Sequence, residues 1–201
     1  MYEALFLLSL GFVVGLSGAI IPGPLLAFTV FDTSKKQKMT GHTIILGHAI
    51  WELLIILIIV LGFGEIITHN ESIFYLIGGL TLFLMGINMI FGKSKEIKLQ
   101  NSRVNSSLLG GIFYTAFNPT QPPWWATAGL ALLLTGVDMM GLLGLVLVTA
   151  GHWLSDLAYY TSISYMVQKQ GKYINPHLKE ITILLGVFMD LLGIYFIVQG
   201  L

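Results

Sequence analysis

Residues 47–52 read Gly-His-Ala-Ile-Trp-Glu, and residues 151–156 read Gly-His-Trp-Leu-Ser-Asp. In both stretches a glycine and a histidine are followed by an acid four residues after the histidine, and the second copy begins 104 positions after the first. Each copy lies inside a long apolar run, so each places an imidazole and a carboxylate in a hydrophobic segment. These two stretches indicate that the halves of the chain repeat.

The composition is that of a membrane protein. Of the 201 residues 55% are hydrophobic and 10% are charged, and the mean hydropathy is +0.83. Soluble domains carry about 25% charged residues, so this chain has too few polar side chains to cover a globule in water. The net charge is zero, and the chain has no run of basic residues that could bind along a phosphate backbone. These two features exclude nucleic-acid binding. Cysteine is absent, which excludes disulfides and thiolate metal sites.

Six apolar runs are long enough to cross about 30 Å of hydrocarbon as helices. Their length favours helices over the strands of membrane β-barrels, which are about 10 residues long. The sequence therefore predicts an all-α polytopic membrane protein, a single domain over residues 1–201. The six predicted transmembrane helices are Leu5–Phe31, Thr43–Phe63, Ile73–Phe91, Leu108–Thr135, Gly141–Tyr165 and Ile181–Val198.

The basic residues predict the orientation. All ten fall in the first, third and fifth loops or at the ends of those loops. Because loops rich in lysine and arginine stay in the cytoplasm, both termini are expected outside. The ten are Lys35, Lys36, Lys38, Lys93, Lys95, Lys98, Arg103, Lys169, Lys172 and Lys179.

The third and sixth spans extend the repeat. Gly79 and Gly86 are matched 107 positions later by Gly186 and Gly193. Each half, about 1–100 and about 101–201, thus holds three spans. Because three is odd, the second half inserts in the opposite direction, which gives the inverted repeat of many secondary transporters.

Prolines interrupt the first and fourth spans at matching places. The interruptions are residues 22–24, Pro-Gly-Pro, in the first span and Asn118-Pro119 with Pro122-Pro123 in the fourth. Proline removes a backbone donor and clashes with the preceding turn, so we expect a broken helix in both spans. Freed backbone groups persist in a membrane only beside protein or a water-filled cavity. Paired breaks in matching spans therefore predict a binding site for a transported substrate.

Charged side chains within the spans are expected to face the bundle interior, because a charge at the membrane centre is costly. A spacing of four residues stacks His48 over Glu52 and His152 over Asp156 on their helix faces, and Tyr159 continues the second face by one turn. Three interpretations are open: static hydrogen bonds, proton carriers in which histidine titrates beside a carboxylate, and ligands of a divalent metal. The sequence does not indicate whether the two pairs approach each other.

Two further features have no unique interpretation. Asp190 in the sixth span has no counterpart, because Phe83 stands at the matching position, and it either contacts substrate or snorkels outward. Trp124 and Trp125 follow the second break, where they either line a cavity or anchor the chain at the membrane interface.

Residues 15–24, Gly-Leu-Ser-Gly-Ala-Ile-Ile-Pro-Gly-Pro, resemble the signature of the LysE/RhtB family of amino-acid exporters. That family has such a break in its first span and an Asn-Pro in its fourth, matched here by Asn118-Pro119. The Gly-His-x-x-x-acid pairs are similar to a subgroup found mainly in archaea and depart from the better-studied bacterial exporters. The resemblance implies a plasma or inner membrane location, export driven by protons or the membrane potential, and a homodimer.

Together these features predict a secondary exporter of an amino acid or similar small polar metabolite, which works by alternating access in the lipid bilayer without a cofactor. The alternative is a divalent metal-cation transporter with both His/acid pairs as ligands. No enzyme is expected, because the chain has neither a nucleophile motif nor His-Glu-x-x-His. The predicted substrate-binding residues are Pro22, Gly23, Pro24, Asn118 and Pro119, and the predicted proton- or ion-coupling residues are His48, Glu52, His152 and Asp156.

Overall fold

A computed structural model describes residues 2–63, 71–91, 106–118 and 120–201. The elements within these ranges are helices, so the predicted all-α class is confirmed. Pro119 and the predicted cytoplasmic residues Lys93, Lys95, Lys98 and Arg103 lie outside the described residues. The helices are α1 (Tyr2–Ala19), α2 (Pro24–Lys36), α3 (Gly41–Ile58), α4 (Glu71–Phe91), α5 (Ser106–Ala116), α6 (Gln121–Trp124), α7 (Leu130–Lys169), α8 (Gly171–Ile174) and α9 (Leu178–Gly200).

The first predicted span is broken at the Pro-Gly-Pro sequence. Helix α1 ends at Ala19, where the amide of Ile21 still donates to the carbonyl of Gly18 at 3.2 Å. Gly23 is extended, with φ −157° and ψ −172°, and α2 begins at Pro24. Proline suits a first helical position because its missing N–H would have no partner there. The local sequence thus ends one helix and begins another within four residues.

The second break lies between α5 and α6. Helix α5 ends at Ala116, and the side-chain oxygen of Asn118 accepts hydrogen bonds from the Thr120 amide at 3.2 Å and the Thr120 hydroxyl at 2.9 Å. The two prolines that follow stand in the first turn of α6. A five-residue π-helical turn, Trp125–Gly129, then leads into α7. Asn118 therefore stabilises the turn between α5 and α6, just before the two prolines of α6.

Helix α7 reverses its direction at Met140 and Gly141. Gly141 has φ 59° and ψ −140°, which is not helical. Gly136 and Gly144 pack backbone against backbone, although eight residues of straight helix would separate them by about 12 Å. The element therefore consists of two antiparallel arms, one on each side of the boundary predicted between the fourth and fifth spans.

Four helical segments are long and apolar enough to cross a membrane: Tyr2–Ala19, Gly41–Gly62, Trp125–Lys169 and Lys179–Gly200. The chain is thus a multi-pass membrane protein, but these four candidates are fewer than the six predicted spans. Two differences account for the smaller number. The third predicted span, Ile73–Phe91, is not among the four segments, and the fourth and fifth predicted spans share one 45-residue segment.

The helices pack in matched pairs through glycine. Helix α1 lies along the second arm of α7, and α3 lies along α5. At each crossing a Cβ on either glycine would collide with the facing backbone, so only glycine allows this approach. The α1–α7 contacts are Gly11 with Val148 and Gly151 with Leu8, and the α3–α5 contacts are Gly111 with Ile44 and Gly47 with Leu108.

Helices α4 and α9 form a second such unit. Gly79 packs on Gly193, and Gly86 packs on Gly186. Asp190 belongs to this interface, where its carboxylate lies against Gly86. The carboxylate oxygen Oδ1 of Asp190 is buried without a hydrogen-bond partner.

Candidate functional site

The two His/acid pairs meet at the centre of the molecule. His48 and Glu52 stand on α3, and His152 and Asp156 stand on the second arm of α7, all at most 4% exposed. The Nε2 atom of each histidine lies 3.1 Å from Glu52 Oε2 and 3.5 Å from Asp156 Oδ2. One ligand atom from each of the four residues lies within 4.8 Å of the others. We call these four residues the His/acid cluster.

Small residues let the cluster form. Each histidine follows a glycine, Gly47 or Gly151, that packs on the backbone of a neighbouring helix. Gly15 on α1 also faces His152, and a Cβ at Gly15 would stand 2.5 Å from His152 Nδ1. These glycines bring α3 against α5 and the second arm of α7 against α1, and α3 also contacts α7, where side chains from the two helices meet.

Two tryptophans hold the carboxylate of Glu52. Trp125 Nε1 donates to Glu52 Oε1 at 3.1 Å, and Trp153 Nε1 donates to Glu52 Oε2 at 3.0 Å. Trp125 also lies 3.1 Å from Gln121 Oε1. An indole N–H only donates, so both oxygens of Glu52 act as acceptors, which suits the ionised carboxylate.

The ring of His48 is fixed by a threonine on α5. His48 Nδ1 lies 3.0 Å from Thr115 Oγ1, and the Thr115 hydroxyl donates to the Gly111 carbonyl at 2.6 Å. Because a hydroxyl has one hydrogen, Thr115 must accept from His48 Nδ1. This bond places a proton on Nδ1 and directs Nε2 toward the two carboxylates.

The ring of His152 is held by stacking. It lies parallel to Trp124, with ring centroids 4.8 Å apart, and meets Trp125 edge to face at 5.4 Å. Its Nδ1 is buried without a hydrogen-bond partner, and its Nε2 bonds to Glu52 Oε2 at 3.1 Å. The indole rings thus orient the imidazole toward the acids.

The cluster faces a cavity that also contains both helix breaks. The cavity has about 510 Å³ of empty space, which includes its open mouth. A Cβ on Gly23 would lie 3.8 Å from the Asn118 amide nitrogen, so the two breaks adjoin. Its lining residues are Gly18, Ala19, Ile21, Gly23, Leu25, His48, Glu52, Asn118, Thr120, Gln121, Trp124, His152, Asp156 and Tyr160.

The predicted substrate-binding residues fall at different places around this cavity. Gly23 and Asn118 are among its lining residues, whereas Pro22 and Pro24 flank Gly23 without being among them. Pro24 is fully buried and Pro22 is partly buried. The placement of Pro119 lies outside the described residues.

Several residues at the site were not predicted from the sequence. Tyr160 lines the cavity, and it lies two four-residue steps after His152. No sequence motif pointed to Thr115 or Gln121 as site residues. Trp153 was not predicted either, although it is adjacent to His152 in sequence. The sequence left open whether Trp124 and Trp125 line a cavity or anchor the chain at the membrane interface. Trp125 is fully buried and hydrogen-bonded, so it is no interface anchor.

A bundle of apolar helices with broken helices and buried charges around one cavity is typical of membrane transporters. The model of the LysE type translocator family matches residues 16–200. The chain belongs to this family, and it is a membrane transport protein. Comparisons with curated proteins and with solved structures gave no significant match.

Proposed function

We propose that this protein is a secondary exporter of amino acids or similar small polar metabolites that works by alternating access. One observation carries the proposal: both helix breaks and the His/acid cluster line one cavity. Free amides at the start of α2 suit a carboxylate, and free carbonyls at the end of α5 suit an ammonium group. A zwitterion presents both groups, so the two breaks suit the two ends of an amino acid.

We propose a six-span inverted repeat as the architecture that performs this transport. The matched glycine contacts support it. The contact of Gly11 with Val148 corresponds to that of Gly111 with Ile44. Between α4 and α9, the contact of Gly79 with Gly193 corresponds in the same way to that of Gly86 with Gly186. Two equivalent halves around one cavity can rock about it and open it to either side in turn.

Glu52, Asp156, His48 and His152 are the proposed coupling groups, which bind a proton or another cation during the transport cycle. Their burial supports this role, because buried ionisable groups in a membrane are seldom kept without a function. The positive-inside pattern supports a plasma or inner membrane orientation with both termini outside. A homodimer is the proposed assembly, on the family resemblance alone.

The proposal is tested by transport in proteoliposomes that are loaded with a panel of radiolabelled amino acids. A pH gradient should accelerate efflux of at least one of them. Glu52→Gln and Asp156→Asn should abolish that pH dependence, whereas Asp138→Asn, at an exposed site on the same helix α7 as Asp156, should retain it. Unchanged pH dependence in both cluster variants would exclude proton coupling, and no transport of any amino acid would exclude the substrate class.

A second candidate function is transport of a divalent metal cation. The convergence of two imidazoles and two carboxylates within 4.8 Å favours it. The same liposomes, loaded with a metal-sensitive dye, distinguish the two functions. Metal entry without amino-acid movement would favour the second.

A further inference from the structure

We propose that His48, Glu52, His152 and Asp156 bind one divalent transition-metal ion, with zinc(II) as the best fit and manganese(II) as the next. The ligand atoms are Nε2 of both histidines, Oε2 of Glu52 and Oδ2 of Asp156. This inference rests on the same four residues as the metal-transport candidate, and its test measures metal binding apart from transport, so that the two can fail separately.

Four of the six distances between ligand atoms are close to those around a tetrahedral ion, and the two others, between the histidines and between the acids, lie within 4.8 Å. Zinc binds histidine nitrogen and carboxylate oxygen at about 2.0–2.2 Å, and four such ligands at tetrahedral angles lie about 3.4 Å apart. The four His–acid distances in the cluster are 3.1, 3.5, 3.1 and 3.5 Å. Each histidine is therefore placed at tetrahedral spacing from both acids.

Two of the four ligand atoms are buried without a hydrogen-bond partner, whereas His152 Nε2 bonds to Glu52 Oε2. His48 Nε2 lies 3.1 Å from Glu52 Oε2, yet it has no hydrogen-bond partner. Asp156 Oδ2 also has no hydrogen-bond partner. Both atoms are buried, and buried polar atoms normally have partners. Atoms at contact distance that are not aligned with one another suit a shared ligand between them.

A divalent cation would balance the charge of the cluster, as would a proton on each histidine. Two carboxylates lie in the site, and the described residues that line the cavity include no lysine and no arginine. Unpaired charges in a buried site are strongly unfavourable. One divalent ion neutralises both carboxylates and leaves both histidines neutral, which is the form that binds metal.

The groups around His48 and Glu52 are those expected of a metal site. A ligating histidine usually donates its other ring nitrogen to an acceptor, which fixes its orientation. His48 does so through Thr115, which is anchored to the Gly111 carbonyl. Ligating carboxylates are also hydrogen-bonded, as Glu52 is to Trp125 and Trp153.

The donor set selects the class of ion. Two imidazoles with two carboxylates suit zinc and manganese, whereas magnesium and calcium prefer oxygen ligands alone. No thiolate is possible, because the chain has no cysteine, so the site is not suited to copper(I).

The test uses the purified full-length protein in detergent after treatment with a chelator. Cobalt(II) serves as the probe, because a tetrahedral cobalt site absorbs visible light strongly. We expect one cobalt per chain, displaced by an equimolar amount of zinc. X-ray absorption of the zinc-loaded wild-type protein should show two imidazoles and two oxygens at about 2.0–2.2 Å.

Matched variants assign the ligands. His48→Gln and His152→Gln should each weaken binding at least a hundredfold, and Thr115→Val should weaken it about 10–100-fold while all four ligands remain. His42→Gln is the control, since His42 is exposed on the same helix α3. Gel filtration and the melting temperature without metal establish that each variant is folded.

Three results would overturn the inference: no stoichiometric cobalt binding, binding that survives both histidine variants, or a wild-type X-ray absorption spectrum without two imidazoles. The last result needs no variant and so does not depend on variant folding. Amino-acid transport is measured separately, so its presence or absence does not decide whether the metal site exists.

Discussion

Glu52 Oε2 and His152 Nε2 lie 3.1 Å apart, although the two residues stand 100 positions apart in the chain. This contact joins the first copy of the Gly-His-x-x-x-acid motif to the second. Each acid therefore contacts the histidine of the other copy as well as its own. The two copies act as one site and not as two separate helix-stabilising pairs.

Removal of an indole donor should weaken the cluster. Trp153→Phe keeps the aromatic bulk and deletes the 3.0 Å bond to Glu52 Oε2. Hydrogen bonds to charged groups contribute about 1.5–3 kcal/mol. Because Trp153 is partly exposed, we expect the free energy of unfolding to decrease by an amount near the lower end of that range. Reversible unfolding in mixed micelles measures it, with Trp51→Phe as control. Equal effects of the two variants would contradict the role assigned to Trp153.

The fold and the site differ in how far they follow from sequence. The break at Pro22-Gly23-Pro24 was predictable because proline acts on its own backbone, and the stacking of His48 over Glu52 follows from helix geometry alone. The meeting of the two pairs was not predictable, because it depends on which helices pack together, at Gly47 and Gly151 among other places. Those glycines repeat in the sequence, but the sequence does not state which backbone each one faces.

The same limit explains why some cavity residues were not predicted. A step of three residues and a step of four both continue a helix face, so Tyr159 and Tyr160 both continue the face of Asp156, and the structure places Tyr160 in the cavity. Thr115 acts through a contact between α3 and α5, and nothing near it in sequence indicates that contact. Local rules thus predict helix breaks and faces, and tertiary contacts decide which faces meet.

Ser164 should stabilise the start of α3 from a distance. Its hydroxyl oxygen accepts from the amides of Thr40 at 2.8 Å and Gly41 at 3.2 Å, which lack partners within the helix. Ser164→Ala leaves both amide donors buried without this acceptor. We therefore expect a decrease of about 1–3 kcal/mol in the free energy of unfolding. The exposed Ser162 supplies the control, Ser162→Ala, with a change within about 0.5 kcal/mol.

Hydrogen exchange adds a local readout to the Ser164 prediction. The amides of Thr40 and Gly41 should exchange faster in Ser164→Ala than in the wild type, while those at the centre of α7 stay protected. Unchanged exchange at Thr40 and Gly41 would show that another group serves these donors.

Gly141 should be difficult to replace because of its backbone conformation alone. Its φ of 59° with ψ −140° is a conformation that residues with a Cβ rarely adopt, yet a Cβ there would meet no atom within 4 Å. Gly141→Ala should therefore cost about 1–3 kcal/mol through strain and without any clash. Leu142→Ala, at a side chain that is 76% exposed, is the neighbouring control. A neutral Gly141→Ala would mean that the turn between the two arms of α7 relaxes freely.

Cysteine labelling tests the orientation of the two halves. The chain contains no cysteine, so a single introduced thiol reports one position without background. Lys35 and Asp138 are both exposed, and the positive-inside pattern places them on opposite sides of the membrane. In right-side-out vesicles, a maleimide that cannot cross the membrane should label Asp138→Cys and leave Lys35→Cys unlabelled. Lys169→Cys, at an exposed basic site of the fifth loop, should behave like Lys35→Cys.

Permeabilised vesicles provide the reference for that experiment, since all three variants should then react. If Lys35→Cys and Asp138→Cys react from the same face of intact vesicles, the halves are not inverted. The matched glycine contacts of Gly11 and Gly111 would then require another explanation. Opposite labelling would support alternating access, because equivalent halves with opposite orientation can form the same gate on either side of the His/acid cluster.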